Sequence, residues 1–299
     1  MNYIEKHPMI MIVIGVIGIS LSSIFVKYSQ APSLVTASYR MLWTILFMTP
    51  VVFAKPKCRQ ELFSTSRKTL FLCAASGIFL ALHFTLWFDS LYYTSVASST
   101  TIVCTEVIWV ALGGFLFFRR KLSAKELLCI AITIFGSILI ALSDSSAGGG
   151  SLYGDILAFL AAVMTAGYTI LGSRVRTYTS TTIYTYIVYI FCWIALSIAM
   201  AVGHISLTGY GPSAWIVGLL LSIFSTILGH SIFSWCLKFL SPSFVSATKL
   251  LEPVGASVFA VFLFSEIPTA MQLVGGVVIL GGILWYSSLE TTKHENKKA

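Results

Sequence analysis

The chain has 299 residues, of which 57% are hydrophobic and only 10% charged, with a net charge of +8 and a mean hydropathy of +0.89. A water-soluble domain carries roughly 25% charged residues, so a chain this apolar needs lipid as its solvent. The positive balance does not point to nucleic acid, because the basic residues are scattered through short connections, where they act as topology signals.

In chain order, the first apolar run covers 8–27. It is long and lacks a small-residue exit site, so it reads as a retained helix and not as a cleaved signal. Ala31-Pro32-Ser33 ends it, and a second run follows at 34–54. The stretch 55–68 opens with Lys55-Pro56-Lys57 and reads as a loop. Runs at 69–89, 96–118 and 124–142 complete a first set of five, with Arg119-Arg120-Lys121 between the last two. Gly148-Gly149-Gly150 lies in a linker, 143–151. The second set is 152–171, 182–202, 214–236, 243–264 and 269–289, punctuated by Gly209-Tyr210-Gly211-Pro212 and Ser241-Pro242 and followed by a tail, 290–299. Each run is long enough to span a bilayer. The expected fold is an all-α membrane protein of ten transmembrane helices, five in 8–142 and five in 152–289.

Orientation follows from Lys and Arg. With the N-terminus in the cytoplasm, Lys6, the basic residues of 55–68 and 119–125, Arg174, Arg176, Lys238 and the tail lysines all fall inside, 16 of 19 in total. Only Lys27 borders the outer face, while Arg40 and Lys249 lie within spans. Both termini are therefore expected in the cytoplasm of a cell (inner or plasma) membrane. Because five is odd, the two halves cross in opposite directions, the inverted-repeat arrangement of alternating-access transporters.

The halves also echo each other in sequence. Glu106 and Glu252 stand 146 positions apart, and Ala124/Ala270, Leu127/Leu273, Phe118/Phe264 and Gly136/Gly282 recur at the same offset. A charged residue at mid-bilayer costs about 2.5–3.5 kcal/mol, so two carboxyls at matched positions mark a site. Lys249 lies one helical turn before Glu252, which suits Glu252 to ordering an amine-bearing substrate. Glu106 has no basic residue within a turn and is the candidate for proton linkage, against the plainer role of hydrogen-bonded packing group. His83 and Trp87, one turn apart in the third run, and His230 in the matching eighth run are candidates to line a cavity, against the plainer role of hydrogen-bonded core residues. Arg40 is either a buried partner for a carboxyl or snorkels to the outer interface. Tyr92, Tyr93, Tyr178, Tyr184 and Tyr186 read as interface belts.

Several stretches resemble the drug/metabolite transporter superfamily, in particular its EamA-type repeat. The most specific are YTSVASST at 93–100, ahead of Glu106, and SPSFVSATKLLEPV, FLFSEIP and LVGGVVILGG across 241–282. One departure is GISLSSIFVKYS at 18–29, where the family often has a Trp-Gly pair. The resemblance implies a ten-helix secondary transporter, its cavity lined by spans 3, 4, 8 and 9, exporting amino acids, related amines or toxic compounds.

Other chemistry is not written in the chain. There is no nucleotide-binding glycine loop, no G-x-S-x-G and no H-E-x-x-H, and the connections are too short for a catalytic domain. The six cysteines form no C-x-x-C pair, so neither a disulfide framework nor a metal site is expected, nor any cofactor. The expected partners are a small-molecule substrate and the lipid bilayer, and the motor is either the gradient of substrate or one of protons. Two other classes stay open: a non-transporting membrane scaffold or sensor, and an intramembrane enzyme. Substrate, direction and oligomeric state are not legible.

Overall fold

The computed structural model describes residues 8–118, 123–145, 149–230, 232 and 250–296. Span 1 is α1 (Pro8–Lys27) and span 2 is α2 (Ser33–Ala54). A short α3 (Pro56–Phe63) precedes span 3, α4 (Arg67–Tyr93). Span 4 is split into α5 (Val96–Val103) and α6 (Glu106–Phe118). Spans 5, 6 and 7 are α7 (Ala124–Ser145), α8 (Gly149–Val175) and α9 (Thr181–Val202). Span 8 begins as α10 (Pro212–Leu220) and continues as a π-helix, Leu221–His230. Spans 9 and 10 are described as α11 (Glu252–Phe264) and α12 (Ala270–Asn296). Nine described helices are long and apolar enough to cross a membrane, and α11 is a shorter apolar one. Among the described residues there is no strand.

Polarity is inverted relative to a soluble protein. Phe262 and Val277 are 81% and 72% exposed, whereas Arg40, Asp155 and the hydroxyls of Thr44, Ser90, Ser98 and Ser222 are buried. Lipid satisfies no hydrogen bond, so the polar groups turn inward and bond to one another. Ser90 with Ser99 (2.6 Å) and Thr44 with Ser222 (2.9 Å) are examples.

Two expectations are corrected. The 55–68 stretch is not all loop: Pro56, with its preset φ and dispensable N–H, opens the helix α3. Tyr184 and Tyr186 are not belt residues. They lie buried on α9, where Tyr184 shares a hydrogen bond with Ser76 (2.7 Å) and Tyr186 one with Thr49 (3.0 Å). Tyr92, Tyr93 and Tyr178 are exposed.

Packing between the halves is reciprocal. α1 packs on the π-helix and α11, just as α8 packs on α4 and the two pieces of span 4. α2 packs on α9 and α10, just as α9 packs on α4 and α2, and α7 packs along α12. Single contacts repeat the rule. A methyl group at Gly136 would stand 2.9 Å from Gly275 O, and one at Gly282 would stand 3.3 Å from Cys129 O. Gly282 and Gly275 are Gly136 and Cys129 displaced by 146, so these are one contact seen from either half. The capping boxes match too. Ser123 and Glu126 cap α7, where Ser123 N donates to Glu126 Oε2 at 2.7 Å. Thr269 and Gln272 cap α12, where Thr269 N donates to Gln272 Oε1 at 2.7 Å.

Candidate functional site

Both sequence-selected glutamates stand at the start of a described helix, Glu106 at that of α6 and Glu252 at that of α11, and in span 4 the helix before it is described as well. In span 4, Ser95 caps α5 by accepting from Ser98 N (3.0 Å), and the helix runs only to Val103. Thr105 N then donates to Ile102 O (3.0 Å) and Ile108 N to Thr105 O (2.9 Å). These i→i+3 bonds tighten the chain into a turn at Cys104-Thr105, and α6 starts at Glu106. In span 9 the turn residues Leu250-Leu251 come directly before α11, which starts at Glu252 with Pro253 in its first turn. At 1.5 Å per residue, Glu106 lies about 15 Å from the start of α5 and Glu252 about 18 Å from the end of α11. Half of a ~30 Å hydrocarbon core is about 15 Å, so both carboxyls stand near the midplane.

The helix starts at Glu106 and Glu252 lie close together. α5 packs against α11, and Cys104 lies where the charges of both Glu252 and Glu106 reach it. Glu106 is also within electrostatic reach of Tyr168 on α8. Ser20 on α1 donates to the backbone oxygen of Glu252 (3.2 Å), which pins span 1 to the start of α11. Thr105 and Trp109 turn the other way, into a narrow crevice shared with Thr133, Ser137 and Phe159.

His83 and Trp87 are buried on α4 and stack at 5.8 Å between ring centroids, 17° from parallel. His83 Nδ1 donates to Ala161 O (3.0 Å) because a carbonyl can only accept, and this fastens α4 to α8. Lys249 and the side chain of His230 lie outside the described residues. Among the described residues no cluster of His, Cys, Asp or Glu is arranged to hold a metal ion.

Arg40 is the charged residue that sequence reasoning left undecided. It is 3% exposed and does not snorkel. Its Nε donates to Thr226 Oγ1 (3.2 Å), its Nη2 to Ser225 Oγ (3.1 Å), and its carbon lies 4.3 Å from the centre of the Phe84 ring. A cluster at the ends of α1, α5 and α11 was also missed. Glu266 pairs with Lys27 and accepts from Val96 N (2.9 Å), while Lys27 sits 5.4 Å over Phe264. Ser265, in a left-handed conformation at φ 57°, caps α11 and turns the chain into Glu266.

Against known proteins, the model of the EamA-like transporter family matches twice, at 7–142 and 152–288. An uncharacterized transporter of Bacillus subtilis is 26% identical over 286 residues, 93% of this chain and 87% of that protein. The "probable amino-acid metabolite efflux pump" of Salmonella typhimurium is 25% identical over 284 residues, 91% of each chain. A solved crystal structure superimposes with a TM-score of 0.59 at 15% identity, covering 95% of this chain and 97% of that one, which is a likeness of fold.

Proposed function

This chain belongs to the EamA-like transporter family, within the drug/metabolite transporter superfamily, and on that footing we propose that it is a secondary transporter exporting small metabolites by alternating access. The observation that carries the reading is the break of span 4 at Cys104-Thr105, with Glu106 starting α6 and the start of α11 at Glu252 brought to the same place. Broken helices whose ends meet at the middle of a bundle of repeats are the usual construction of a secondary transporter's site. The reciprocal packing of the two halves supports two interchangeable arrangements of one interface. Export is supported by the efflux relative, and the substrate class taken from its name is amino-acid metabolites and related amines.

In this reading the two five-helix units, 8–142 and 152–289, are inverted repeats, both termini are cytoplasmic, and the loops after spans 1, 3, 5, 7 and 9 are external. Glu252, with Lys249, orders the substrate. Glu106 exchanges a proton between the two access states. His83, Trp87 and His230 form a wall behind them, His83 doing so while bonded to Ala161 O.

The test is uptake by purified protein in liposomes, with a panel of amino acids, amines and amphipathic toxic compounds under imposed pH gradients. Movement of one class, with its KM raised by Glu252→Gln, is the expected result. A protein that moves nothing, and whose Glu106→Gln and Glu252→Gln forms keep every other property, is a scaffold or sensor.

A further inference from the structure

Arg40 is charged at every physiological pH and cannot escape its burial by losing a proton. Among the described residues the one ion pair is Lys27–Glu266, so no described carboxylate stands within 4.0 Å of the guanidinium. Its bonded partners, Ser225 and Thr226, are neutral hydroxyls, and among the described residues Nη1 is buried with no hydrogen-bond partner. A buried charge with no opposite charge in direct contact carries a large desolvation cost, which a more distant carboxylate offsets only in part. The face of Phe84 offsets part of it.

The setting is built, not accidental. The hydroxyls that hold Arg40 come from the π-helix, a wide turn form found mostly at functional positions. Ser222, on the same segment, bonds Thr44 one turn beyond Arg40. Gly218 lets α10 come close: a methyl there would lie 2.9 Å from Arg40 N. Arg40 thus stands where α2, α4 and the π-helix meet, within electrostatic reach of Tyr189 on α9 and Glu252 on α11.

We propose that Arg40 is the carboxylate-binding residue of the translocation path, so that the substrates are small molecules bearing a carboxylate. The inference rests on the transport reading above and sharpens its substrate class. Ser225 and Thr226 hold two of the guanidinium nitrogens and leave Nη1 for the guest. The planar fork is suited to a carboxylate, and a charge-assisted bond there discriminates against a neutral isostere by about 10-fold or more.

The experiment compares L-leucine, leucinamide and isopentylamine as competitors of uptake in proteoliposomes holding the full chain, using a radiolabelled amino-acid panel as the transported probe. Wild-type protein should prefer leucine to leucinamide by at least 10-fold. In Arg40→Lys the charge remains but the fork is lost, and the preference should fall to a few-fold. In Arg40→Gln it should fall to about unity. A purely structural Arg40 would lower transport in the variants yet keep the wild-type ratio, and that result overturns the proposal. Equal competition by all three compounds in wild-type protein also overturns it, a result that needs no variant to fold. If the wild-type protein moves no member of the panel in any gradient, the transport reading itself fails.

Discussion

The cluster at the ends of α1, α5 and α11 gives a prediction with a magnitude. Glu266 makes two bonds, an ion pair to Lys27 and a hydrogen bond from Val96 N at 2.9 Å, which ties span 1, the start of span 4 and the connection between spans 9 and 10. The charged side chains are 18% and 24% exposed, so solvent screening limits the pair to about 1 kcal/mol. Turning the charge-assisted bond to Val96 into a neutral one adds a further ~0.5–1 kcal/mol. Lys27→Ala should therefore raise the population open at this end about fivefold, and Glu266→Gln by about 10- to 30-fold. The readout is a cysteine at Ser98, in a background without the native cysteines. Ser98 is buried beneath this cluster and accepts from Gln272 Nε2 (3.1 Å). Its labelling rate by an impermeant thiol reagent tracks the open fraction when closing is fast. The exchanged pair, Lys27→Glu with Glu266→Lys, should recover part of the protection, since it restores the ion pair but not the bond to Val96. If Lys27→Ala leaves the rate unchanged, or the exchange labels faster than both single variants, the cluster does not hold this end closed.

Other predictions follow from the packing and the topology. Gly136→Ala puts a methyl 2.9 Å from Gly275 O and 3.0 Å from Ile279 N, backbone atoms that cannot swing away. It should cost about 1–3 kcal/mol and lower the melting temperature in detergent, whereas Gly281→Ala, with nothing within 4 Å, should not. A cysteine at Ser206, in the loop between α9 and α10, should react with an impermeant reagent from outside intact cells, and one at Ser66 should react only after permeabilisation. Glu106→Gln should remove the dependence of transport on an imposed pH gradient while retaining substrate binding. Glu252→Gln should weaken binding itself, read as a raised KM.

The helices were legible because lipid sets a simple rule: about twenty apolar residues bounded by Lys, Arg, Pro and Gly. The offset between Glu106 and Glu252 was legible because both residues break that rule in the same place. The break in span 4 was not. Span 4 has no proline or glycine at Cys104-Thr105, and the turn there shows only in the i→i+3 backbone bonds of Thr105 and Ile108, which leave no mark in residue type. The π-helix is hidden for the same reason, since LSIFSTILGH reads equally well as an α-helix. Arg40 was ambiguous because its long stem can reach the interface from two turns inside, and only Ser225, Thr226 and Phe84, far away in sequence, decide that it stays. Tyr184 and Tyr186 misled through their position: near the end of a run, a tyrosine reads as interfacial, yet Ser76 and Thr49 supply buried partners. The capping boxes were in plain view as S-x-x-E and T-x-x-Q, and their spacing of 146 would have extended the repeat.

The repeat offset also bears on direction. In a protein of two interchangeable halves, the other access state arises when each half adopts the arrangement of its counterpart, and residues that match across the offset favour neither state. Bias must come from positions where the match fails. The counterparts of Lys27 and Glu266, shifted by 146, are Ser173 and Arg120. Those two cannot form an opposite-charge pair, so the ion pair that ties α1 to the α11–α12 connection is not repeated at the positions related by the offset. In the proposed topology the Lys27–Glu266 end is external. On the export reading proposed above, this asymmetry is what favours closure of the outer end, and loading from the cytoplasm is the outcome it predicts. Installing the missing pair, with Ser173→Lys and Arg120→Glu, should slow loading from the cytoplasmic side without altering the labelling of a cysteine at Ser206. Unchanged loading in that double variant, with protein of normal stability, would show that the bias lies elsewhere.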